Sequence, residues 1–223
     1  MLQPLLFSLG LLLAPQEAAL VLRDVHVVDV ESGELLRSRA VVIRDGRIES
    51  LAPSAGFQPP PGARVVEGAG RFLVPGLVDA HVHLNEGDDP LDLWLYLANG
   101  VTTVRNLFGN ALHLDWRAKI ERRELVGPRI YTAGPIIDGE DPVWPGSVAL
   151  TDPDMAAEVV AEQMDAGYDF LKPYAKLSAE CYEALAIAGE EAGLKLMGHV
   201  PCALTIHAVL EAGQHPLAHL DGW

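Results

Sequence analysis

The feature that most constrains this chain is an alternation that begins after Pro75-Gly76. Short apolar segments recur with amphipathic segments between them. LVDAHVHL (77–84), VTTVRNL (101–107), RIYTAG (129–134), YDFLKPY (168–174), LKLMGHV (194–200) and HPLAHL (215–220) read as strands. Segments 89–100, 111–125, 152–167, 178–193 and 203–213 read as helices, several with Asp or Ser near the start and Gly at the end. Strands alternating with helices in this way imply a parallel sheet covered by helices. A barrel and an open doubly wound sheet both satisfy the pattern. Segment 135–150 is a Gly/Pro/Asp-rich loop, and its DGEDPVWPG stretch (138–146) reads as an ordinary surface loop unless it helps to close a site.

A different texture precedes the alternation. VLRDVHVVDV (21–30) is Val-rich and partly alternating, and AVVIRDGRIESLA (40–52) is two short strands around Asp45-Gly46, a hairpin signal. FQPPPGA (57–63) is a stiff connection, and ARVVEGAGRFLVPG (63–76) reads as a further strand pair with a Gly-containing turn. Residues 20–75 therefore read as a small β domain and 76–223 as the strand–helix domain. Residues 1–19 read as a secretory signal peptide. LLFSLGLLL (5–13) is apolar but shorter than the ~20 residues needed to span a bilayer, and small residues follow near Ala18-Ala19. The start of the chain lacks Lys and Arg, which leaves a buried N-terminal element as the other reading. Export implies a periplasmic or extracellular protein; an uncleaved segment implies a cytoplasmic one.

Composition narrows the function classes. Lys+Arg is 16 and Asp+Glu is 31, so 16 − 31 = −15, an acidic balance that argues against a nucleic-acid binder. Cys181 and Cys202 are too few for a disulfide framework or a zinc ribbon, and neither lies near the cleavage point to take a lipid anchor. No stable membrane anchor is expected.

Chemistry-bearing residues gather late in the strands. His81 and His83 sit at i and i+2, so in a strand both imidazoles face one side, about 6–7 Å apart. They could converge on one metal ion; alone, they read equally as solvated or core histidines. Lys172 lies in an otherwise apolar strand, where desolvation would free its amine for chemistry; an edge lysine reaching solvent is the other reading. His199 and His219 each end a short apolar strand, and each alone reads as a core histidine. Jointly, His81, His83, Lys172, His199 and His219 occupy the late positions of strands 1, 4, 5 and 6, which in a (β/α)₈ barrel open onto one face. Neutral imidazole suits zinc and similar ions. Arg105 and Asn106 end strand 2 and Tyr174 follows Lys172; all three could face substrate or solvent. His113 and His207 read as surface or packing residues, His26 belongs to the leading β unit, and His215 falls at the start of its strand, away from the site.

LVPGLVDAHVHL (73–84), GVTTVRNLFG (100–109), GPRIYTAGP (127–135), YDFLKPYAKLS (168–178), GHVP (198–201) and AGQHPLAHLDGW (212–223) together resemble the amidohydrolase superfamily. The nearest resemblance is to its imidazolonepropionase-like and Xaa-Pro-dipeptidase-like members. The resemblance implies an α/β fold, an incomplete (β/α)₈ barrel of strands 1–6 preceded by a small β-sandwich-like unit. It implies two divalent metal ions, zinc foremost, with His81 and His83 on one and His199 and His219 on the other. Lys172, carbamylated by carbon dioxide, would bridge them. A hydroxide between the metals would attack a C–N bond in an amide, a dipeptide or a cyclic amide. The family's general-base Asp belongs at the end of strand 8, which this sequence does not reach, and Asp221 is not placed to substitute; a fragment of a longer enzyme is the expectation. A mononuclear deaminase or imidazolone-type hydrolase, and a non-catalytic truncated chain that at most binds metal, are the alternatives. The partners expected are a small-molecule or dipeptide substrate and a second copy of the chain in a homo-oligomer.

Overall fold

A computed structural model describes residues 18–85, 87 and 89–219. The chain divides into two compact units, 1–75 and 76–223. The expected leader, 1–19, lies outside the described residues except for Ala18 and Ala19, and so does Asp221.

The first unit holds β1 (Leu20–Val28), β2 (Leu35–Arg44), β3 (Arg47–Pro53), β4 (Arg64–Glu67) and β5 (Phe72–Leu73) in one sheet, ordered β3-β2-β1-β4 with β5 also on β1. Among the described residues it is a single sheet, where a sandwich-like unit was the expectation. β2 and β3 form the antiparallel hairpin expected around Asp45-Gly46, both of which adopt positive φ (51° and 72°) as a tight two-residue turn requires. Segment 63–76 departs from expectation. β4 and β5 do not pair with each other; each pairs β1 in parallel. Gly68 explains it. A Cβ there would sit 2.3 Å from the Val25 side chain and 2.9 Å from the Asp24 carbonyl, so the backbone hugs β1 instead of turning back on itself. Val21, Ala40, Val41 and Val42 are buried in this unit. His26 accepts from the Ser38 amide (3.1 Å) and meets the Phe72 ring edge-on, a local structural role.

The second unit is mixed α/β. β6 (Leu77–Val82), α1 (Leu91–Ala98), β7 (Val101–Asn106), α2 (Ala111–Glu121) and β8 (Arg129–Thr132) open it, and β6-β7-β8 form a parallel three-stranded sheet. β9 (Ile137–Asp138) and β10 (Val148–Ala149) form a small parallel pair within the segment expected to be a loop. After α3 (Ala156–Ala166), β11 (Phe170–Leu171) pairs in parallel with β12 (Lys195–Leu196), with α4 (Ala179–Ala192) between them; α5 (Ile206–Glu211) closes the described helices. Single parallel bridges, Ala133 to Phe170 and Gly198 to Leu217, join these small sheets into one succession. The later strands are shorter than the sequence suggests: 168–174 is regular only at Phe170–Leu171, and 215–220 contributes one bridge, at Leu217. Among the described residues no helix is long and apolar enough to cross a membrane.

Local chemistry sets the helix ends. The Asn110 side chain caps α2 by accepting from the Leu112 amide (3.0 Å), and Ser178 caps α4 by accepting from Cys181 (3.1 Å). Gly167 and Gly193 end α3 and α4 at positive φ. One buried cluster joins α3, α4 and α5 to the strands through Val160, Leu171, Leu185, Leu196 and Val209; another joins β6, β7 and β8 to α1 and α2 through Val82, Leu93, Val104, Trp116 and Ile130. Not every apolar side chain is covered. Leu77 and Val78 on β6 and Leu91, Trp94 and Leu95 on α1 are exposed.

Asn106, read from sequence as facing substrate or solvent, is instead fully buried and organises the β6–β7 end. Its Oδ1 accepts from the Leu84 amide (3.1 Å). Its Nδ2 donates to the Phe108 carbonyl (3.0 Å) and to Thr132 Oγ1 (3.1 Å), and lies 3.0 Å from His113 Nδ1. His113, also fully buried, reaches the Asn85 carbonyl with its other ring nitrogen (3.1 Å), which makes it a packing residue. Asn106→Ala removes the acceptor of the Leu84 amide and the donor to Phe108 O and Thr132 Oγ1, so a loss of about 3 kcal/mol in urea-unfolding free energy is expected. A change below about 0.5 kcal/mol, the range of ordinary surface substitutions, would contradict the assignment.

Candidate functional site

Parallel pairing places the strand exits side by side. The Leu107 amide donates to Val82 O (2.9 Å), Ile137 to Lys172 O (2.8 Å), His199 to Pro173 O (3.1 Å) and Ala218 to Gly198 O (2.8 Å). The residues following β11 and β12 and the segment 217–219 thus meet through their own backbones, and the end of β6 meets the end of β7. Gly198 makes one approach possible: a Cβ there would lie 2.3 Å from Pro173 O.

The four strand-end histidines form a continuous chain of rings. His81 and His83 have centroids 5.4 Å apart, His81 and His219 4.7 Å, and His219 and His199 4.7 Å. His219 turns its ring back with a positive φ of 64°, a backbone state costly for a side-chain-bearing residue. His83 and His219 are exposed, while His81 and His199 are half-buried. Lys172 is fully buried, and its Nζ has no hydrogen-bond partner among the described residues. All five residues singled out from sequence are therefore brought to one region.

The electrostatics of the region are those of bases kept uncharged. Burial, then the Lys172 charge and the neighbouring His219, His83 and Arg105, push His81 down to about 4. Burial of its inner edge, then Lys172 and His219, also lowers His83, although that side chain reaches solvent. Burial, reinforced by Arg105, pushes Lys172 down to about 8. The His81 and His83 lone pairs are thus available near neutral pH, and the lysine amine is partly deprotonated. Among the described residues no three His, Cys, Asp or Glu side chains are gathered into a ready metal-holding group. The histidine rings instead lie in a succession, with neighbouring centroids 4.7 to 5.4 Å apart. The orphaned Lys172 amine is the group whose chemistry is unaccounted for in the cluster.

Arg105 and Tyr174 both lie beside the histidines. Arg105 donates from Nε to Ala80 O (2.7 Å), next to His81 in β6. The Tyr174 ring lies 4.2 Å from that of His199, and its hydroxyl accepts from Trp144 Nε1 (2.8 Å). The 138–146 loop is more than a surface excursion. Buried Asp138 accepts from the Gly139 (3.0 Å), Val143 (3.1 Å) and Lys176 (2.7 Å) amides, and Lys176 Nζ donates to Asp141 O. Trp144 is thereby held against Tyr174, a neighbour of the site that carries no periodicity or motif by which sequence could find it. Phe108 is another: its ring lies 5.9 Å from His83, edge-on. His207 and His215 are exposed and are not among the rings of the cluster; Cys181 is buried, Cys202 is exposed, and both are free thiols.

Taken together, the fold and the cluster define a mixed α/β protein with nitrogen donors collected at the ends of parallel strands. Comparison with known proteins carries this further. No protein-family model matches the chain. It is 43% identical over 70 residues to an adenine deaminase of Paracoccus denitrificans, covering 31% of this chain and 12% of that protein. It is 38% identical over 68 residues to an imidazolonepropionase of Klebsiella pneumoniae, covering 30% and 16%. A crystal structure described as a putative prolidase from Bifidobacterium longum superimposes with a TM-score of 0.78 at 26% identity, over 91% of this chain and 54% of that one. These likenesses are to members of the amidohydrolase superfamily and support the resemblance carried by the sequence. The chain spans about half the length of the prolidase and smaller shares of the other two.

The buried lysine sets a pH-dependent stability in the metal-free chain. Below about pH 8 the amine is protonated in folded and unfolded states alike, and its desolvation opposes folding in full. Between about 8 and the ordinary value of 10.5, the unfolded chain holds a proton that the folded chain has lost, so stability rises with pH. Lys172→Met removes the penalty. The metal-free variant is expected to exceed the parent by up to about 3 kcal/mol near neutral pH, the gap closing as pH rises through that window. Parallel denaturant titrations at several pH values check this, and a gap that widens with pH would refute it.

Proposed function

We propose that this chain carries the metal-binding part of a hydrolase acting on a C–N bond, in an amide, a dipeptide or a cyclic amide. The observation that carries the reading is the gathering of His81, His83, His199 and His219 beside the buried, unpartnered Lys172. In this reading the small parallel sheets are strands 1–6 of a (β/α)₈ barrel, and the histidines lie at its catalytic face. The uncovered side chains of Leu77, Val78, Trp94 and Leu95 support it, because strands and helices of a parallel barrel are normally covered on both sides.

His81 and His83 would hold one divalent ion, and His199 and His219 a second. Zinc is foremost, although the donor set also accepts manganese, cobalt or iron. Bound there, the ions would supply Lewis acidity, acidifying water and polarising a carbonyl. Lys172 would supply an anion as a carbamate: its neutral amine attacks carbon dioxide, an N–C bond forms as one C–O π bond opens to the carboxylate, and one amine proton leaves to solvent. A lysine lowered to about 8 holds a useful neutral fraction for that step. The product is an anion set among imidazoles and Arg105, which offsets the positive charge the region otherwise concentrates. Arg105 and Tyr174 would orient the substrate from opposite flanks. The reading assigns no residue of this chain as the general base.

A second reading, a mononuclear deaminase or imidazolone-type hydrolase, draws on the adenine deaminase and imidazolonepropionase likenesses. Metal analysis of the purified chain separates the two. The first reading expects two ions per chain, with Lys172→Ala losing at least one. A single ion bound regardless of Lys172 would favour the second. Metal uptake without turnover of any dipeptide or cyclic amide would favour a non-catalytic chain.

A further inference from the structure

Beyond the five donor residues, we infer that Gln214 is a positioning residue that sets the direction of His199 and His219. The inference rests on the metal-binding reading of those histidines. Gln214 follows α5 and is fully buried. Its amide nitrogen donates to two successive carbonyls, Gly198 O and His199 O, each at 3.0 Å. Its amide oxygen accepts from the Tyr182 hydroxyl at 2.8 Å. Tyr182 is anchored in α4, within the apolar cluster that contains Leu185, Leu196 and Val209.

The geometry goes beyond what packing needs. Gly198 O already accepts the Ala218 amide (2.8 Å), so it is not a buried acceptor awaiting a partner. The Gln214 bond adds direction to a carbonyl that is already satisfied. Two consecutive carbonyls aimed at one amide nitrogen fix the peptide planes on either side of the His199 α-carbon, and hence the vector along which its side chain leaves the backbone. The same Gly198 carbonyl holds Ala218, the residue before His219. One side-chain amide therefore ties three things together: the rigid face of α4, the backbone of His199, and the segment that presents His219. An apolar residue could fill this space, and a buried amide is retained at a desolvation cost unless every bond is made. Groups placed behind metal-binding histidines typically govern affinity by orientation.

The test is cobalt binding by the full chain, read by visible absorption and by the cobalt-induced rise in melting temperature, for Gln214→Met, Tyr182→Phe and His199→Ala. Gln214→Met keeps length and volume and removes both donors. It is expected to weaken cobalt binding about tenfold or more and to alter the absorption bands. Tyr182→Phe removes a single hydroxyl, so it tests the same arrangement if Gln214→Met does not fold; a smaller loss in the same direction is expected. In a His199→Ala background, Gln214→Met should weaken cobalt binding less than it does in the parent, because only its hold on the His219 segment remains. A variant that melts lower without cobalt but binds cobalt as tightly as the parent, with unchanged bands, would overturn the inference and leave Gln214 as a core amide. If the parent chain takes up no cobalt, the metal-binding reading itself falls and this inference falls with it.

Discussion

Parallel pairing of very short strands is the constraint on which the rest of the second unit depends. Each strand exit is held to the next by one or two main-chain hydrogen bonds, such as Ile137 to Lys172 and His199 to Pro173. Parallel register means that equivalent ends of successive strands lie together, so residues far apart in sequence share one edge. The strands themselves are too brief to hold that register alone. Helix packing supplies the remainder, with α3 and α4 covering β11 and β12 through a shared apolar cluster. Close approaches at glycine, Gly198 against Pro173 and Gly109 against Ala133 O, let the backbones draw near enough for the exits to meet.

The cluster that results is electrostatically unusual. It gathers four imidazoles, a lysine and an arginine near one another, with no carboxylate among the groups that shift His81, His83 or Lys172. Such a set resists protonation, because each charge raises the penalty for the next. It is well suited to cations only if an anion is installed among the nitrogens. Lys172 is the residue that could become that anion, and its burial and lack of a partner are what an unmodified lysine in that role would show.

How much of this could be read in the sequence depended on how local each signal was. The i, i+2 spacing of His81 and His83 within an apolar run is a local pattern, and the two rings lie 5.4 Å apart. The helix bounds followed from caps such as Ser178 and stops such as Gly167 and Gly193, to within a few residues. β9 and β10 were invisible because two residues carry no periodicity. β4 and β5 were assigned to each other because the steric demand of Gly68 against Val25 is a long-range fact. Asn106 was misjudged for the same reason: its partners, Leu84 and Thr132, come from other segments. The 138–146 loop was read as a surface loop that could also close a site, and its Trp144 does reach Tyr174, whereas Gln214 joins the surroundings of the site only through tertiary contacts.

The backbone at His219 has one further implication. A left-handed conformation favours glycine or asparagine. Selection for heat resistance alone, in the laboratory or over evolutionary time, would drift toward those residues at this position and discard an imidazole. Persistence of histidine there, in any lineage that carries this chain, would record a demand other than durability.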